Sequence, residues 1–562
     1  MPNNKIRSRT LYHHFFRRFF DNDTLSLEAE TETTVIRALC TCAVPALMVA
    51  FWLFAHYANR PVWAVAADRY FFVLYSFVVM GAVATFQWDM LFPDRADFLI
   101  LLPMPLKSRD LFYAKGKAVL SFLGMFLVAA NLFGLIFFPA ASTPRGGSYF
   151  HCAWAHLVAV TLAGIFAALV MLAIKGVMLC VLPSRWFGLI SPILQSLSIT
   201  VLLLVLFLYP LLASHMQMLL EGHATFAGFI PPLWFLGLYE QLLYGSSAPA
   251  GAYALESIGL YATAAAASLA VLTYPLAWSR QKKRALEGAS KARGQSSSVI
   301  ANLLHRTLLS RPQQRAIFHF ISQTITRSTR YQVYLAIYSG VGFALALCSV
   351  LTLQVLPNNS TGKLSFALSN SGLHAVLPLL LFWLVTGLRA AYAFPVDMLA
   401  RWVFPINLPY PGNDAKAAKT WVLLFCGLIT SAVFCILLAL KWSYLDLALQ
   451  AIYGTSLSLL LADLFFVGRT QIPFTRPRMP GRTNLPIVFT LYGAVFPLLV
   501  IFTVKLEIAT ETKLHILAWI LFGTVTAHVL LKIADYLAQR GIIGGFPEDE
   551  GDEGPQTLGL FL

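Results

Sequence analysis

The sequence predicts an all-α polytopic membrane protein: about twelve transmembrane helices arranged as two six-span repeats, with both termini cytoplasmic. Three observations predict it. Of 562 residues, 58% are hydrophobic and only 12% are charged, and the mean hydropathy is +0.69. A water-soluble chain cannot hide that much apolar surface. Apolar runs of about 20 residues recur along the chain, each long enough to cross the hydrocarbon layer. The basic residues fall between these runs, so the net charge of +15 reads as a positive-inside bias and not as nucleic-acid binding.

Residues 1–34 form an interfacial N-terminal segment that carries Lys5, Arg7, Arg9, Arg17 and Arg18. Leu11, Tyr12, Phe15, Phe16, Phe19 and Phe20 share one side of a helix, with Arg17 and Arg18 on the other. That pattern suits a helix lying among lipid headgroups; the alternative is a helix packed on the protein itself. The first membrane unit, residues 35–278, contains spans Val35–Tyr57, Tyr70–Trp88, Ala118–Ala140, Ala153–Leu182, Phe187–Ala213 and Gly251–Trp278. Its first apolar run starts too far in, and is too long, for a signal-peptide core. Residues 279–332 form a basic linker with Arg280, Lys282, Lys283, Arg284, Lys291 and Arg293, followed by an amphipathic segment in which Ile317, Phe318, Ile321 and Ile325 share a face. The second unit, residues 333–537, contains spans Val333–Leu356, Leu373–Phe394, Thr420–Leu440, Tyr444–Val467, Ile487–Val504 and Lys513–Leu537. Residues 538–562 form an acidic tail expected to be disordered. The stretch from Ser214 to Ala250 has no Lys or Arg, which places it outside and the termini inside. Surface helix, two spans, cytoplasmic loop and four more spans occur in that order twice, the mark of a duplicated unit.

The loop after the second span holds the most informative residues. Asp97, Phe98, Leu101, Leu102, Pro103, Pro105, Arg109, Leu111, Phe112 and Lys115 follow one another there. Pro103 and Pro105 break it into two short pieces. Ser108 is placed to cap the second piece, and Asp110 suits its first turn. Its apolar residues are costly in a cytoplasmic loop unless a partner surface or the headgroup zone covers them, or the loop folds back on the protein. Pro395 and Pro405 in the second half repeat the ten-residue separation of Pro93 and Pro103, with Arg401, Trp402 and Phe404 between them.

Asp97 to Lys115, with its Leu-Leu-Pro-x-Pro core, resembles the loop between the first spans of exporter permeases of the second class of ATP-binding-cassette (ABC) transporters. Pro231, Pro232 and Trp234, in Ile230–Glu240, resemble the short extracellular Pro-Pro-x-Trp helix of that family. The resemblance covers most of the first half and only loosely the second, which lacks the Pro-Pro-x-Trp element and the Leu-Leu-Pro pattern. It implies an export permease subunit driven by a separate ABC ATPase, itself a dimer; the absence of targeting signals points to a bacterial cytoplasmic membrane. Asp97, Leu101, Leu102, Pro103, Arg109, Phe112 and Lys115 would then form the ATPase-coupling loop. Arg401, Trp402, Phe404 and Pro405 would form a second one. ATP and Mg²⁺ would sit on the partner, with no cofactor on this chain.

The chain is not expected to be an enzyme itself. No GxxxxGK[ST], HExxH or GxSxG occurs, and Ser360-Thr361-Gly362-Lys363 lacks the earlier glycine of a phosphate-binding loop. The seven cysteines fall almost entirely within apolar spans, without CxxC spacing, as small core residues do. His151, Cys152 and His156, and His215, Glu221 and His223, match no standard ligand spacing, so no metal is expected. Lys175 and Asp463 lie inside spans that correspond in the repeat. A charge in hydrocarbon costs roughly 3 kcal/mol or more, so the two are expected to pair with each other or else to snorkel. His528 reads as a packed, hydrogen-bonded residue. The rival class is a secondary, ion-coupled transporter of six-plus-six architecture; the spans carry few ionisable groups for such coupling.

Overall fold

The computed structural model describes residues 2–19, 31–57, 60–93, 95–101, 103, 104, 106–143, 147–286, 311–356, 363–392, 413–466, 474, 485–513 and 515–539. Among them eleven helices are long and apolar enough to cross a membrane, and a further apolar helix, Tyr334–Val350, is shorter. The molecule is a helical, multi-pass membrane protein.

In chain order the helices are α1 (Pro2–Arg18), α2 (Thr31–His56), α3 (Val62–Phe86), α4 (Arg95–Leu101), α5 (Ser108–Ser142), α6 (Tyr149–Val181) and α7 (Ser184–Phe207). Two short helices, α8 (Tyr209–Ala213) and α9 (Met216–Leu220), lead to α10 (Pro231–Tyr244) and α11 (Ala252–Leu286). Then follow α12 (Pro312–Arg327), α13 (Thr329–Val350), α14 (Asn370–Tyr392), α15 (Asn413–Ala439), α16 (Tyr444–Phe466), α17 (Leu485–Thr512) and α18 (His515–Gln539).

The fold is helical as expected, and among the described residues one two-stranded hairpin interrupts it. The seventh span was expected to run from Val333 to Leu356, but α13 stops at Val350 and Leu351–Leu356 becomes strand β1. It pairs antiparallel with β2 (Lys363–Leu368), with Leu351 opposite Leu368 and Leu356 opposite Lys363. Leu-Thr-Leu-Gln-Val alternates apolar and polar residues, a two-residue period that a strand satisfies and a membrane helix does not. The Leu364 amide donates to the His223 carbonyl at 3.1 Å, and Phe366 packs on Phe226 with ring centroids 4.4 Å apart.

The chain forms two compact units that do not follow the sequence halves. One comprises residues 1–295, 329–376 and 480–487; the other comprises 296–328, 377–479 and 488–562. The span α13 therefore belongs with the first unit, where it packs along α7. Gly340 makes that approach possible: a Cβ there would lie 3.0 Å from Ile199 Cγ2 and 3.3 Å from Thr200 Oγ1. Close helix contact through small residues is how membrane helices gain dispersion energy, since lipid offers no hydrophobic drive between them.

In the first unit α3 packs on α6, α6 on α11, and α2 on α5. The amphipathic α1 lies against α5, with Leu11, Phe15 and Phe19 buried and Phe19 stacked on Phe122 at 4.6 Å. Protein covers this helix's apolar stripe, as in the packed-helix alternative. In the second unit α12 lies against α15 in the same manner, burying Ile317, Ile321 and Ile325. There the Trp421 indole donates to Ser322 Oγ at 2.9 Å.

Candidate functional site

The loop between α3 and α5 is built as a short amphipathic helix with two faces. Pro93 precedes α4, and Pro103 follows it and keeps its C-terminal end from extending. The inward face carries Asp97 and Phe98, 6% and 2% exposed. The Asp97 carboxylate accepts from the Arg18 guanidinium of α1 in a salt bridge. The Phe98 ring meets the Trp278 ring of α11 edge-on at 5.3 Å. Phe112 in α5 packs edge-on against both Tyr274 and Trp278, at 5.4 and 5.3 Å. Lys115 is buried, its ammonium 5.0 Å from the ring centroids of both Phe15 and Phe19. Cation–aromatic contact of this kind is strongest where water is excluded.

Four of the expected coupling residues are thus turned toward the protein. Asp97, Phe112 and Lys115 are held by α1 and α11, and Leu101 is half-buried. Pro103 and Arg109 are exposed, and Leu102 lies outside the described residues. The outer face is instead apolar and composed of residues the sequence did not single out: Leu99, Ile100, Met104 and Tyr113, 50%, 61%, 47% and 63% exposed. Helical spacing was the signal available. Residues 97, 98 and 101 share one side of a helix, which leaves 99 and 100 for the other. The cap also differs from expectation. Ser108 is the first residue of α5 and Lys107 occupies the cap position, with no side-chain hydrogen bond there. Arg401, Trp402, Phe404 and Pro405 of the second loop lie outside the described residues.

The Pro-Pro-x-Trp segment forms α10, with Pro231 and Pro232 in its first turn, where the missing amide hydrogen costs nothing. The Trp234 indole donates to the Gly228 carbonyl at 3.0 Å. This helix is no free-standing surface element: it packs on α3, α6 and α11, with Leu233, Phe235 and Leu236 fully buried. A Cβ at Gly237 would stand 2.7 Å from the Ala252 carbonyl oxygen, so only glycine lets α10 approach α11 this closely.

At the α10 end of α3 lies a buried ion pair that sequence reasoning passed over. Arg69 Nη1 donates to both carboxylate oxygens of Glu240, at 2.9 and 3.0 Å, and Nη2 donates to the Tyr244 hydroxyl at 3.1 Å. The guanidinium also lies over the Tyr239 and Tyr244 rings, 5.6 and 5.4 Å from their centroids. The Tyr239 hydroxyl is 3.1 Å from His156 Nδ1, and burial pushes the Tyr239 phenol well above its ordinary range. Nearby, Arg60 Nε donates to Asp68 Oδ2 at 2.6 Å, and that hydrogen bond raises the Arg60 guanidinium pKa further. Arg69 sits beside the start of the expected second span and Glu240 inside an apolar helix. An ionisable residue in apolar sequence was the signal that could have found them.

Lys175 and Asp463, the two charges marked inside the spans, each have partners within their own unit. Lys175 in α6 donates to the Trp88 carbonyl, just beyond the end of α3, and its ammonium lies 5.9 and 5.6 Å from the Trp88 and Phe92 ring centroids. It is 2% exposed. The Trp88 indole donates to Ser191 Oγ of α7 at 3.0 Å, so the carbonyl that holds Lys175 is itself anchored. Asp463 near the end of α16 accepts from the Lys419 ammonium of α15 through one oxygen and contacts His528 Nδ1 of α18 through the other. His528 is hydrogen-bonded, as expected, and its partner is this carboxylate.

Among the described residues no group of three His, Cys, Asp or Glu side chains could hold a metal ion. The His223 ring lies 3.5 Å from the Glu221 carboxylate, and His151 Nε2 lies 3.4 Å from the Leu243 carbonyl. Comparison with protein-family models, with curated proteins and with solved structures returns no match.

Proposed function

We propose that the chain is the membrane permease of an exporter, sitting in a bacterial cytoplasmic membrane with both termini cytoplasmic and driven by a separate ABC ATPase. The observation that carries this reading is the outer face of α4. Leu99 and Ile100 stand exposed in this seven-residue helix, too short to be a span itself, and Met104 stands exposed just beyond its end. Exposed apolar residues clustered at such a position favour a protein partner. The resemblance of Asp97–Lys115 to exporter permease loops names an ATPase as that partner. In this reading α1 and α11 stiffen the loop from within, through Arg18–Asp97 and the Trp278 contacts, so that force applied to its outer face reaches α3 and α5. The matching placement of α1 on α5 and of α12 on α15 supports a duplicated membrane unit. ATP hydrolysis belongs to the partner, and this chain supplies the path for an exported substrate.

Ile100→Asp combined with Met104→Asp tests the reading. Both residues are exposed, so insertion and thermal stability should be unchanged. Co-purification of the ATPase and substrate-stimulated ATP hydrolysis in proteoliposomes should be lost, since a buried anchor is worth about 1–4 kcal/mol of binding. Full retention of both activities would sink the docking assignment. Leu101→Asp and Phe112→Asp are poorer probes, because both side chains pack inward.

A second reading, an ion-coupled secondary carrier, is favoured by one observation: Asp463, Lys419 and His528 form a titratable cluster within apolar helices. Such clusters serve as proton relays in carriers. Transport driven by a proton gradient with no ATPase present would select it.

A further inference from the structure

The second unit contains a cavity of about 400 Å³ between α14, α16, α17 and α18. That volume lies in the range of small-molecule sites, and the lining has their character: mostly apolar, with a few polar groups. Leu377, Leu457, Leu460 and Ile520 supply apolar walls. Phe502 and Trp519 also line it and are 66% and 71% exposed, so they form a rim on apolar, membrane-length helices. Two buried polar side chains line the same cavity: Gln450, 3% exposed, and Glu507, also 3% exposed. The Tyr453 hydroxyl is already engaged, donating to the Leu506 carbonyl at 3.2 Å and lying 2.6 Å from Thr510 Oγ1. Gln450 Nε2, in contrast, is buried without any hydrogen-bond partner. A buried amide donor left unmet is costly, so an acceptor placed in the cavity beside it is favoured.

We infer that this cavity binds an uncharged, hydroxyl-bearing amphiphile drawn from the bilayer, with its hydroxyl on Gln450 and its hydrocarbon between α16, α17 and α18. A hydroxyl fits because it accepts and donates at once, so it meets the Gln450 amide and can face the Glu507 carboxylate. A carboxylate headgroup would meet Glu507 as a like charge. A protonated amine has no lone pair for Gln450 Nε2. The inference stands apart from the exporter reading, since binding requires neither ATP nor a partner.

The experiment uses the full-length protein in lipid nanodiscs and a photoreactive analogue of dodecanol, with labelled residues located by mass spectrometry. Labelling should fall on the cavity lining and be competed by dodecanol at least tenfold better than by dodecane, dodecylamine or laurate. Gly523→Leu should abolish it. Gly523 lines the cavity, and a Cβ there meets no atom within 4 Å, so the larger side chain fills the space without disturbing a neighbour. Unchanged thermal stability of this variant would show that the fold is intact. Gln450→Leu keeps the bulk, removes the donor, and should weaken labelling about tenfold, the worth of one hydrogen bond of ~1.4 kcal/mol. Labelling that persists in the Gly523→Leu variant would overturn the site. Equal competition by dodecane would overturn the role of the hydroxyl.

Discussion

Glu240 in the first unit and Asp463 in the second are both carboxylates buried among apolar helices, yet they are neutralised in different ways. Glu240 meets a single guanidinium, held by two bonds and covered by the Tyr239 and Tyr244 rings, with the Arg69 and Glu240 side chains 5% and 3% exposed. Asp463 divides its two oxygens between Lys419 and His528, whose side chains are 24% and 21% exposed. One arrangement is closed, and its charges have nowhere else to go. The other is open on its cationic side. Of the two partners to Asp463, one is a histidine, a side chain that changes charge near neutral pH more readily than any other. The closed pair joins α10 to α3; the open cluster joins α16 to α15 and α18.

The largest expected effect tests the closed pair. Glu240→Gln leaves the Arg69 charge buried and unpaired, which costs about 3–5 kcal/mol. The detergent-solubilised protein should unfold at a markedly lower temperature, and the double change Arg69→Met with Glu240→Met should recover much of the loss. A thermal midpoint unchanged by Glu240→Gln would break the comparison at its first term.

Asp463→Asn should cost less, about 1.5–3 kcal/mol, the worth of hydrogen bonds to charged groups, because Lys419 and His528 are part-exposed and can reorient. Measured in the same thermal assay, a loss as large as that of Glu240→Gln would mean the cluster is as closed as the first.

The smallest effect is expected at Lys175→Met. Its ammonium is held by the Trp88 carbonyl and by two ring faces, and methionine fills nearly the same space. The change in stability should stay within about 1 kcal/mol. A larger loss would place Lys175 with Arg69 among the charges the fold depends on.

Burial at the loop between α3 and α5 shows why patterning could identify the element but not its exposed face. Leu99 and Leu101 are the same residue type two positions apart, and the sequence singles out only Leu101 as an anchor. The packing of α1 and α11 on α4 and α5 decides that residues on the side of Asp97 and Phe98 turn inward while Leu99 and Ile100 face out. Neither partner helix is close in sequence: Arg18 is 79 residues from Asp97. Lys115 reads as an exposed cation until two phenylalanines of α1 are folded over it. Charge pairing was hidden for the same reason, since Arg69 and Glu240 are 171 positions apart.

The sequence by itself determined that the chain is a helical membrane protein, where most spans lie, and that two amphipathic segments needed covering. Those properties follow from the length of apolar runs and from helical periodicity, which are local and need no partner to be read. It also marked Lys175 and Asp463 as charges that must be compensated, because hydrocarbon penalises any bare charge wherever the chain goes. Only the tertiary structure decided what compensates them, which face of α4 is free, and that the end of the seventh span leaves the helix to pair as β1 with β2. Each of those outcomes depends on which distant segment arrives within a few ångströms, a property of packing that no single stretch of sequence contains.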